Sequence, residues 1–304
     1  MKINVVVIGS GKMAEAYVDT IQSFKNFNIL GIYSRNQKNL EVFCKKKKVN
    51  LINNYKEIIE IKKNIHLLII AVTASNLLKV INITKSLNCV RLLEKPLGIS
   101  LVQAEKINKI TKNKKYFLAL NRRMYESTQF AQKKITKKKI ILVEDHINFN
   151  LHKQLGFNKK QYKNFIFSHS IHLIDYFNIF AKGKITNIFK SKLFVNSHKL
   201  IYCLIEFSSG DIGIYSCKYN SNQKWKVILF EKNKRIKFQP LETANLVSRN
   251  NRIIFSPKRF DRNYKPGIYN IILNLNYLFC KKKFKLVSVK EGLEIMKLIH
   301  NLHK

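Results

Sequence analysis

The first 120 residues alternate short apolar runs with segments whose apolar residues recur at helical spacing. This alternation is typical of an α/β domain in which helices cover a doubly wound parallel sheet, the Rossmann arrangement. The apolar runs predict strands at Ile3–Ile8, Ile29–Tyr33, His66–Val72, Arg91–Glu94 and Tyr116–Leu120. The segments between them predict helices at Ala14–Phe24, Lys38–Lys46, Tyr55–Ile59, Ser75–Leu87 and Leu101–Lys112.

The pattern changes after Asn121, where strand-like runs follow one another without a helix between most of them. We therefore expect a dinucleotide-binding domain at residues 1–120 and an α+β domain with a mostly antiparallel sheet at residues 121–304. The turn Ser208–Asp211 predicts a hairpin, and the C-terminal helix is expected to pack back on the first domain. Predicted strands are Ile140–Phe149, Ile185–Val195, Leu200–Ser208, Ile212–Tyr219, Trp225–Glu231 and Lys234–Gln239. Predicted helices are Ser127–Lys138, Phe165–Phe180, Tyr269–Cys280 and Val289–Leu302.

A glycine turn follows the first predicted strand and leads directly into the first predicted helix. Its pattern is GxGxxA, from Gly9 to Ala14. The first glycine permits a tight turn, the second lets the backbone approach a pyrophosphate, and the small alanine lets helix and strand pack closely. The alternative is a purely steric turn, but the context favours dinucleotide binding. We expect Gly9, Ser10, Gly11, Lys12 and Met13 to contact the cofactor.

The end of the second predicted strand indicates which dinucleotide binds. An NAD site expects an acidic residue there, to bind the ribose 2′-hydroxyl. No acid occurs at residues 33–36, where the sequence is Tyr-Ser-Arg-Asn. Ser34 can donate a hydrogen bond to a 2′-phosphate, and Arg35 can pair with it. The sequence therefore favours NADP, with NAD still open; the alternative is a polar loop that does not select the ribose.

The net charge is unusual, because 57 Lys and Arg stand against 18 Asp and Glu, which gives +39. Such an excess is typical of nucleic-acid or anionic-membrane binding, or of lysine-rich compositional drift. The basic residues are spread along the whole chain, and no nucleic-acid-binding motif accompanies them. We favour drift and expect no specific nucleic-acid partner. The positive field would still attract phosphorylated cofactors and anionic substrates.

The cysteines and the apolar runs indicate a cytoplasmic protein. The five cysteines are scattered and form no CxxC or Cys/His metal spacing, so we expect reduced thiols and no metal. No signal peptide precedes the first strand. The longest largely apolar run, Ile65–Ala74, is too short to span a bilayer, so we expect no membrane insertion.

Several motifs, taken in their order along the chain, resemble the Gfo/Idh/MocA oxidoreductase family. Glu94-Lys95-Pro96 closes the fourth predicted strand, where Pro96 cannot continue a central ladder. The resemblance covers nearly the full length. It rests on the glycine turn, Ala71-Val72-Thr73, Glu94-Lys95-Pro96, Asn121-Arg122-Arg123-Met124, the segment Ser170–Asp175, the segment Tyr264–Asn270 and the segment Val287–Gly292.

The resemblance implies roles for particular residues. Lys95 matches the family's catalytic lysine and His172 its active-site histidine. Many members carry an Asp four residues before that histidine, but here the position is Ser168, so His169 or a water held by Ser168 is left to substitute. Asp175 is expected to orient structure. The cofactor contacts implied beyond the glycine turn and the Ser34–Arg35 loop are Thr73, Glu94, Lys95, Asn121 and Arg123.

The family resemblance also implies an activity. Members use NAD or NADP to oxidise or reduce sugars and related polyols, so we expect hydride transfer to or from a sugar or sugar-like carbonyl or alcohol, with Lys95 and His172 handling the proton. Surface-polysaccharide or nucleotide-sugar biosynthesis is a setting by analogy. An imine or tetrapyrrole reductase and a non-catalytic NADP-binding regulator remain alternatives. The partner is expected to be a small molecule, a sugar or nucleotide sugar, and the protein a homo-oligomer.

Overall fold

The computed structural model of the chain describes residues 2–112, 114–148, 165–195, 198–249 and 251–304. The chain divides into two compact units. The first comprises residues 1–121 and 263–294, and the second comprises residues 122–262 and 295–304. The first crossing therefore lies where the residue pattern changes. Residues 263–294, however, belong with the first unit, whereas the sequence analysis assigned them to the second.

The first unit is built on a seven-stranded sheet in the order β15-β6-β5-β4-β1-β2-β3. The strands from β1 to β6 are parallel to their neighbours, which confirms the predicted Rossmann-type sheet. The seven strands of this sheet are β1 Ile3–Ile8, β2 Phe27–Tyr33, β3 Leu51–Ile52, β4 Leu67–Ile70, β5 Val90–Leu93, β6 Tyr116–Leu118 and β15 Val287–Ser288. The helices of the N-terminal part are α1 Lys12–Gln22, α2 Gln37–Lys47, α3 Tyr55–Glu60, α4 Ala74–Thr84 and α5 Leu101–Thr111.

Residues 263–294 join the first unit because they supply both a strand and a helix to it. Strand β15 pairs antiparallel with β6, through Val287 opposite Leu118. Helix α9 (Ile268–Phe279) packs against α1, where the Asn26 amide donates to Asn276 Oδ1 at 2.6 Å. A two-residue edge strand has no periodicity that a sequence pattern could reveal, and the same reason explains why β3 was not predicted.

The second unit is built on an eight-stranded sheet in the order β14-β13-β12-β11-β7-β10-β9-β8. Its pairs are antiparallel except the central pair of β7 and β10, which confirms the predicted, mostly antiparallel sheet. The strands are β7 Ile140–Ile147, β8 Ile185–Val195, β9 His198–Phe207, β10 Ile212–Tyr219, β11 Lys226–Glu231, β12 Lys234–Phe238, β13 Ala244–Ser248 and β14 Asn251–Phe255. Further helices of the described residues are α6 Glu126–Lys134, α7 Ile171–Phe180, α8 Phe260–Asn263 and α10 Val289–His303.

Most of the second unit follows the predicted elements. The hairpin at Ser208–Asp211 joins β9 to β10, and Gly210 has a φ of +79° there, which glycine adopts readily. The hairpin of β13 and β14 was not predicted, because its strands mix polar and apolar residues without strict alternation. The predicted end of β7, Phe149, lies outside the described residues. Within the described ranges, no helix has the length and apolar character that a bilayer crossing requires.

Candidate functional site

Four neighbouring parallel strands of the first unit end at one edge of its sheet. The strands lie side by side in the order β5-β4-β1-β2, and ligands of such sheets bind outside the carboxyl ends of the strands. The residues that follow these strands are Glu94 and Lys95 after β5, residues 71–73 after β4, Gly9 after β1 and Ser34 after β2. The fold therefore gathers at one edge several residues that the sequence placed far apart.

The glycine turn has the geometry that a dinucleotide requires. Gly9 has a φ of +128°, and a Cβ on it would come within 2.2 Å of the Ala71 carbonyl oxygen, so only glycine fits. A Cβ on Gly11 would meet none of the described atoms within 4 Å, which leaves open space before the start of α1. No described side chain caps α1 at Gly11, so its first N–H groups are available to a phosphate. These features fit a bound pyrophosphate.

Ser10 and Ser34 meet at the same edge. The Ser10 hydroxyl donates to Ser34 Oγ at 2.9 Å, which joins the glycine turn to the end of β2. Arg35 follows and is exposed, while the rings of Tyr33 and Tyr55 lie 4.3 Å apart, centroid to centroid. Burial raises the pKa of Tyr55 to about 12, although the Arg35 charge opposes that shift. The Ser10–Ser34 hydroxyl pair and the exposed Arg35 thus lie at the end of β2, the position that the sequence analysis assigned to selection of the ribose.

Glu94 is a buried carboxylic acid with few donors. It is 7% exposed; its Oε1 accepts from the Tyr17 hydroxyl at 2.5 Å, and its Oε2 lies 3.3 Å from the Lys95 backbone nitrogen, which donates to it. Burial raises the pKa of Glu94 in spite of these hydrogen bonds and of the Lys95 and Lys265 charges. Burial also raises the pKa of Tyr17, and the Glu94 charge adds to this. Lys95 itself is half-buried, beside this pair.

The other predicted cofactor contacts of the first unit lie around the same strand ends. The Thr73 hydroxyl accepts from the Asn76 amide at 2.6 Å at the start of α4, and the Asn121 amide donates to the Pro266 carbonyl at 3.1 Å. Lys12 is exposed and Met13 is half-buried in the first turn of α1. Their contacts with a cofactor stay predictions.

A cavity beside α1 adds a residue that the sequence analysis did not select. It has a volume of about 240 Å³ and is lined on one side by Lys12, Glu15 and Asp19, and on the other by Tyr264 and Lys265. Lys265 is also close enough to Glu94 to lower its pKa. The signal for Lys265 was present in the family-like segment after Tyr264. Its place beside α1 depends on the return of residues 263–294 to the first unit.

In the second unit, His172 lies in the first turn of α7. It is 9% exposed, and its ring centroid lies 6.3 Å from that of Trp225, at an interplanar angle of 48°. The His169 ring contacts the same indole edge-on, at 4.7 Å. Trp225, the one tryptophan of the chain, therefore joins the two histidines.

Asp145 supplies a buried negative charge to this cluster. Its Oδ2 accepts from the Ser170 hydroxyl at 2.6 Å and from the Tyr215 hydroxyl at 2.8 Å, while its Oδ1 lies 3.2 Å from His169 Nε2. Burial alone would raise the pKa of Asp145, but the hydrogen bonds from His169, Ser170 and Tyr215 lower it below its usual value. An ionised carboxylate therefore faces His169.

The proton on His169 decides which of two hydrogen bonds forms. With a proton on Nε2, the ring donates to Asp145 or to the His146 carbonyl at 3.1 Å. Without that proton, the same nitrogen accepts from Trp225 Nε1–H, also at 3.1 Å. The two arrangements exclude each other, so the choice of ring nitrogen that carries the proton is coupled to the hydrogen bonding of Trp225.

Arg123, a predicted cofactor contact, is engaged inside the second unit. Its guanidinium Nε lies 2.8 Å and its Nη2 lies 2.7 Å from carboxylate oxygens of Asp175, in a two-pronged ion pair. The Asp175 side chain is 2% exposed. Such a fork orients both side chains strongly, which agrees with the orienting role expected of Asp175.

Three buried side chains of the second unit come close enough to share a metal ion. Asp145, Cys217 and His303 bring one ligand atom each within 4.8 Å of one another. The two ring nitrogens of His303, however, each lie 2.8 Å from a tyrosine hydroxyl, those of Tyr215 and Tyr219. An ion would have to replace these hydrogen bonds and those on Asp145, so this cluster is best described as a hydrogen-bond network.

The sequence analysis missed Tyr17, Asp145, Trp225 and Lys265, but two of them carried a signal. Asp145 continues an alternation with Ile141, Val143 and Ile147, and so occupies an inward-facing position of β7. An acid at such a position predicts a buried polar site. Nothing in the local sequence indicates that Tyr17 and Glu94, 77 residues apart, form a hydrogen bond.

Comparison with known proteins agrees with this geometry. Residues 3–121 match the family model described as an oxidoreductase family with an NAD-binding Rossmann fold. No curated protein sequence is significantly similar to the chain. The match thus covers the N-terminal part of the first unit and is to an NAD-binding Rossmann fold.

Solved structures resemble the chain over nearly its full length. A dehydrogenase from Chromobacterium violaceum has a TM-score of 0.83 at 13% identity, covering 100% of this chain and 95% of its own. UDP-N-acetylglucosamine 3-dehydrogenase from Acidithiobacillus ferrooxidans has a TM-score of 0.78 at 10% identity, and the match covers 99% of this chain and 97% of that protein. An oxidoreductase from Agrobacterium radiobacter, in complex with NAD+, L-tartaric acid and magnesium, has a TM-score of 0.79 at 14% identity. That match covers 100% of this chain and 96% of the other. At these identities the likeness establishes the fold.

Proposed function

Residues 3–121 belong to the Gfo/Idh/MocA oxidoreductase family, and from this membership we propose that the protein is an NADP-dependent oxidoreductase acting on a sugar or sugar-like alcohol or carbonyl. Nucleotide sugars are included in this class, since one protein of similar fold is a UDP-N-acetylglucosamine dehydrogenase. The bound cofactor would supply or accept the hydride.

The preference for NADP rests on the Ser10–Ser34 hydroxyl pair beside Arg35, where an NAD site would carry an acid. An acid at this position would repel a 2′-phosphate, whereas hydroxyls and a guanidinium donate hydrogen bonds to it. The phosphate would gain a charged partner in Arg35 that is free to rotate at the surface.

Titration of the protein with NADPH and with NADH tests this preference. We expect NADPH to bind more tightly, and Arg35→Ala to weaken NADPH by about 1.5–3 kcal/mol while leaving NADH nearly unchanged. Arg252→Ala, which removes an exposed arginine of β14, is the matched control for net charge. Equal affinities, or a preference for NADH, would contradict the assignment.

The proton on the reacting oxygen is assigned to Lys95, with His172 assisting. The Lys95 backbone N–H donates to Glu94 Oε2 directly after β5, so the Lys95 side chain starts from a rigid strand end. A half-buried ammonium stabilises a developing alkoxide and can donate a proton to it. These assignments follow the family-like motifs and the local geometry of each unit.

Asp145 and His169 are proposed to replace the family acid that is missing at Ser168. The ionised Asp145 lies 3.2 Å from His169 Nε2, and Trp225 lies against both His169 and His172. Asp145 would thus position and polarise the histidine cluster without touching substrate. Ser168→Asp tests this: if the pair already supplies the charge, a second, half-buried carboxylate will lower turnover, whereas a gain in turnover would show that the relay was incomplete.

A homo-oligomer is proposed on the basis of the open face of the second sheet. An apolar row crosses five adjacent strands there, and its outer members Phe189 and Leu204 are 56% and 40% exposed. The row consists of Phe189, Leu204, Ile214, Leu142 and Ile228. Such a face is typical of an interface. Leu204→Lys is expected to lower the mass measured by light scattering to that of a monomer; an unchanged mass would contradict the proposal.

The five free thiols support a cytoplasmic location.

A further inference from the structure

A cavity of about 290 Å³ opens in the second unit beside Trp225. Its wall includes the side chains of Arg122, Lys224 and Trp225, with Leu241 and one acid, Glu242. Its volume is close to the lower limit of cavities that hold small organic ligands, roughly 300 Å³. The cavity can therefore hold more than a bare ion.

Arg122 is the unusual member of this wall. Its guanidinium carbon lies 5.0 Å from the centre of the Trp225 ring and 6.0 Å from that of Tyr125. Its Nε is buried and meets no hydrogen-bond partner among the described residues. Glu242, on the same wall, accepts a hydrogen bond from the Tyr125 hydroxyl at 3.4 Å.

The buried Nε of this guanidinium is costly to leave unpaired, because it has lost water and gained no hydrogen bond among the described residues. The usual partner of such a planar, stacked fork is a phosphate or a carboxylate. Lys224, at the exposed rim of the same cavity, adds a second positive charge. The wall therefore favours an anionic ligand over a neutral one.

We propose that the Arg122–Trp225 cavity binds an anionic group, phosphate or carboxylate, of the substrate. The proposal rests on the proposed function, since it identifies the substrate as a charged sugar derivative. Trp225 connects this cavity to the histidine cluster, because its ring forms part of the cavity wall and also contacts His169 and His172. Arg122 is then the residue that selects charged over neutral sugars.

Trp225 also provides the measurement, because it is the one tryptophan of the chain and its emission reports this cavity. The protein, saturated with NADP+ to fill the cofactor site, is titrated with UDP, inorganic pyrophosphate, glucuronate and glucose. We expect saturable changes in Trp225 emission with the anions and none with glucose. A response to UDP and pyrophosphate alone would identify a phosphate ligand, and a response to glucuronate alone a carboxylate.

Two variants separate a built site from the general positive field of the protein. Arg122→Gln is expected to weaken the responding anion about tenfold or more, and Arg122→Lys to restore only part of the loss. Arg252→Gln, with the same change in net charge, should leave the affinity within about twofold. Equal losses in the two glutamine variants, or no saturable change with any anion, would overturn the proposal.

The same proteins distinguish this inference from the proposed function. Binding of NADPH by Arg122→Gln should equal that of the unaltered protein, since Arg122 belongs to the other unit. Anion binding without NADPH binding would refute the oxidoreductase proposal and leave the anion site standing. NADPH binding without anion binding would refute the anion site alone.

Discussion

Two buried carboxyl groups, one in each unit, show opposite pKa shifts. Glu94 follows β5 and Asp145 lies near the end of β7; both accept a hydrogen bond from a tyrosine hydroxyl, at 2.5 Å and 2.8 Å respectively. Burial raises the pKa of Glu94 above its ordinary value. Asp145 is more deeply buried, and yet its hydrogen bonds lower its pKa.

The difference lies in the number and kind of donors. Glu94 has Tyr17 and one backbone N–H, whereas Asp145 has two hydroxyls and an imidazole. Each donor stabilises the ionised form, and only the larger set exceeds the cost of desolvation. We call Glu94 and its neighbours the first centre, and Asp145 and its neighbours the second centre. The first centre can therefore hold a proton beside Lys95, while the second holds a fixed negative charge beside His169.

The largest effect is expected at the cation of the first centre. Lys95→Ala should lower turnover by about 10²–10⁴ and leave NADPH affinity nearly unchanged, because the proposed mechanism assigns its ammonium to the reacting oxygen. Single-turnover kinetics and an NADPH titration measure the two quantities. Lys79→Ala, an exposed lysine of α4, is the control. Full turnover in Lys95→Ala would refute the mechanism.

Removal of the charge from the second centre should chiefly affect stability. Asp145→Asn is expected to lower the free energy of unfolding by about 3 kcal/mol, because the three buried donors around Asp145 lose their ionised acceptor. Urea denaturation measures this. Glu144→Gln on the same strand breaks a half-buried pair with Lys226 that still contacts solvent, and should cost less than about 1 kcal/mol. Similar costs for the two variants would mean that Asp145 is not a fixed charge.

The second centre should also lose stability in acid. Burial lowers the pKa of His303 from 6.5 to about 4. Between these two pKa values, His303 binds a proton in the unfolded chain but not in the folded one. The free energy of unfolding therefore falls as the pH decreases from about 6.5 to about 4. From about pH 7 to about pH 5 the loss should be about 2 kcal/mol.

His303→Gln isolates the contribution of this histidine. Its unfolding free energy should change less with pH over the same range, while His300→Gln, which alters an exposed histidine of α10, should keep the full slope. Urea midpoints measured at several pH values provide the comparison. Parallel curves for the two variants would assign the acid sensitivity to other groups.

The smallest effect is expected at the first carboxyl. Glu94→Gln should change the free energy of unfolding by less than about 1 kcal/mol at neutral pH, because a glutamine resembles the protonated acid that burial favours and still accepts from Tyr17. The same urea assay measures it. A cost as large as that of Asp145→Asn would show that Glu94 is ionised and would remove the contrast.

Local patterns were sufficient for the elements that carry the cofactor. Strand β1 was predicted with its observed bounds, and helix α1 within two residues at each end, since apolar periodicity and glycine conformation act within a few residues. The Ser208–Asp211 hairpin followed from turn chemistry in the same way. The β13–β14 hairpin, with weak alternation, gave no comparable signal.

The sequence by itself determined the two sheet types, the glycine turn and the lack of an acid beside Ser34, because each depends on residues close together in the chain. The tertiary structure alone decided that residues 263–294 join the first unit, that Tyr17 meets Glu94, and that Asp145 faces His169. The physical reason is that pKa values and ligand cavities depend on which groups burial brings together. Long-range packing sets those neighbours, and no local pattern records them.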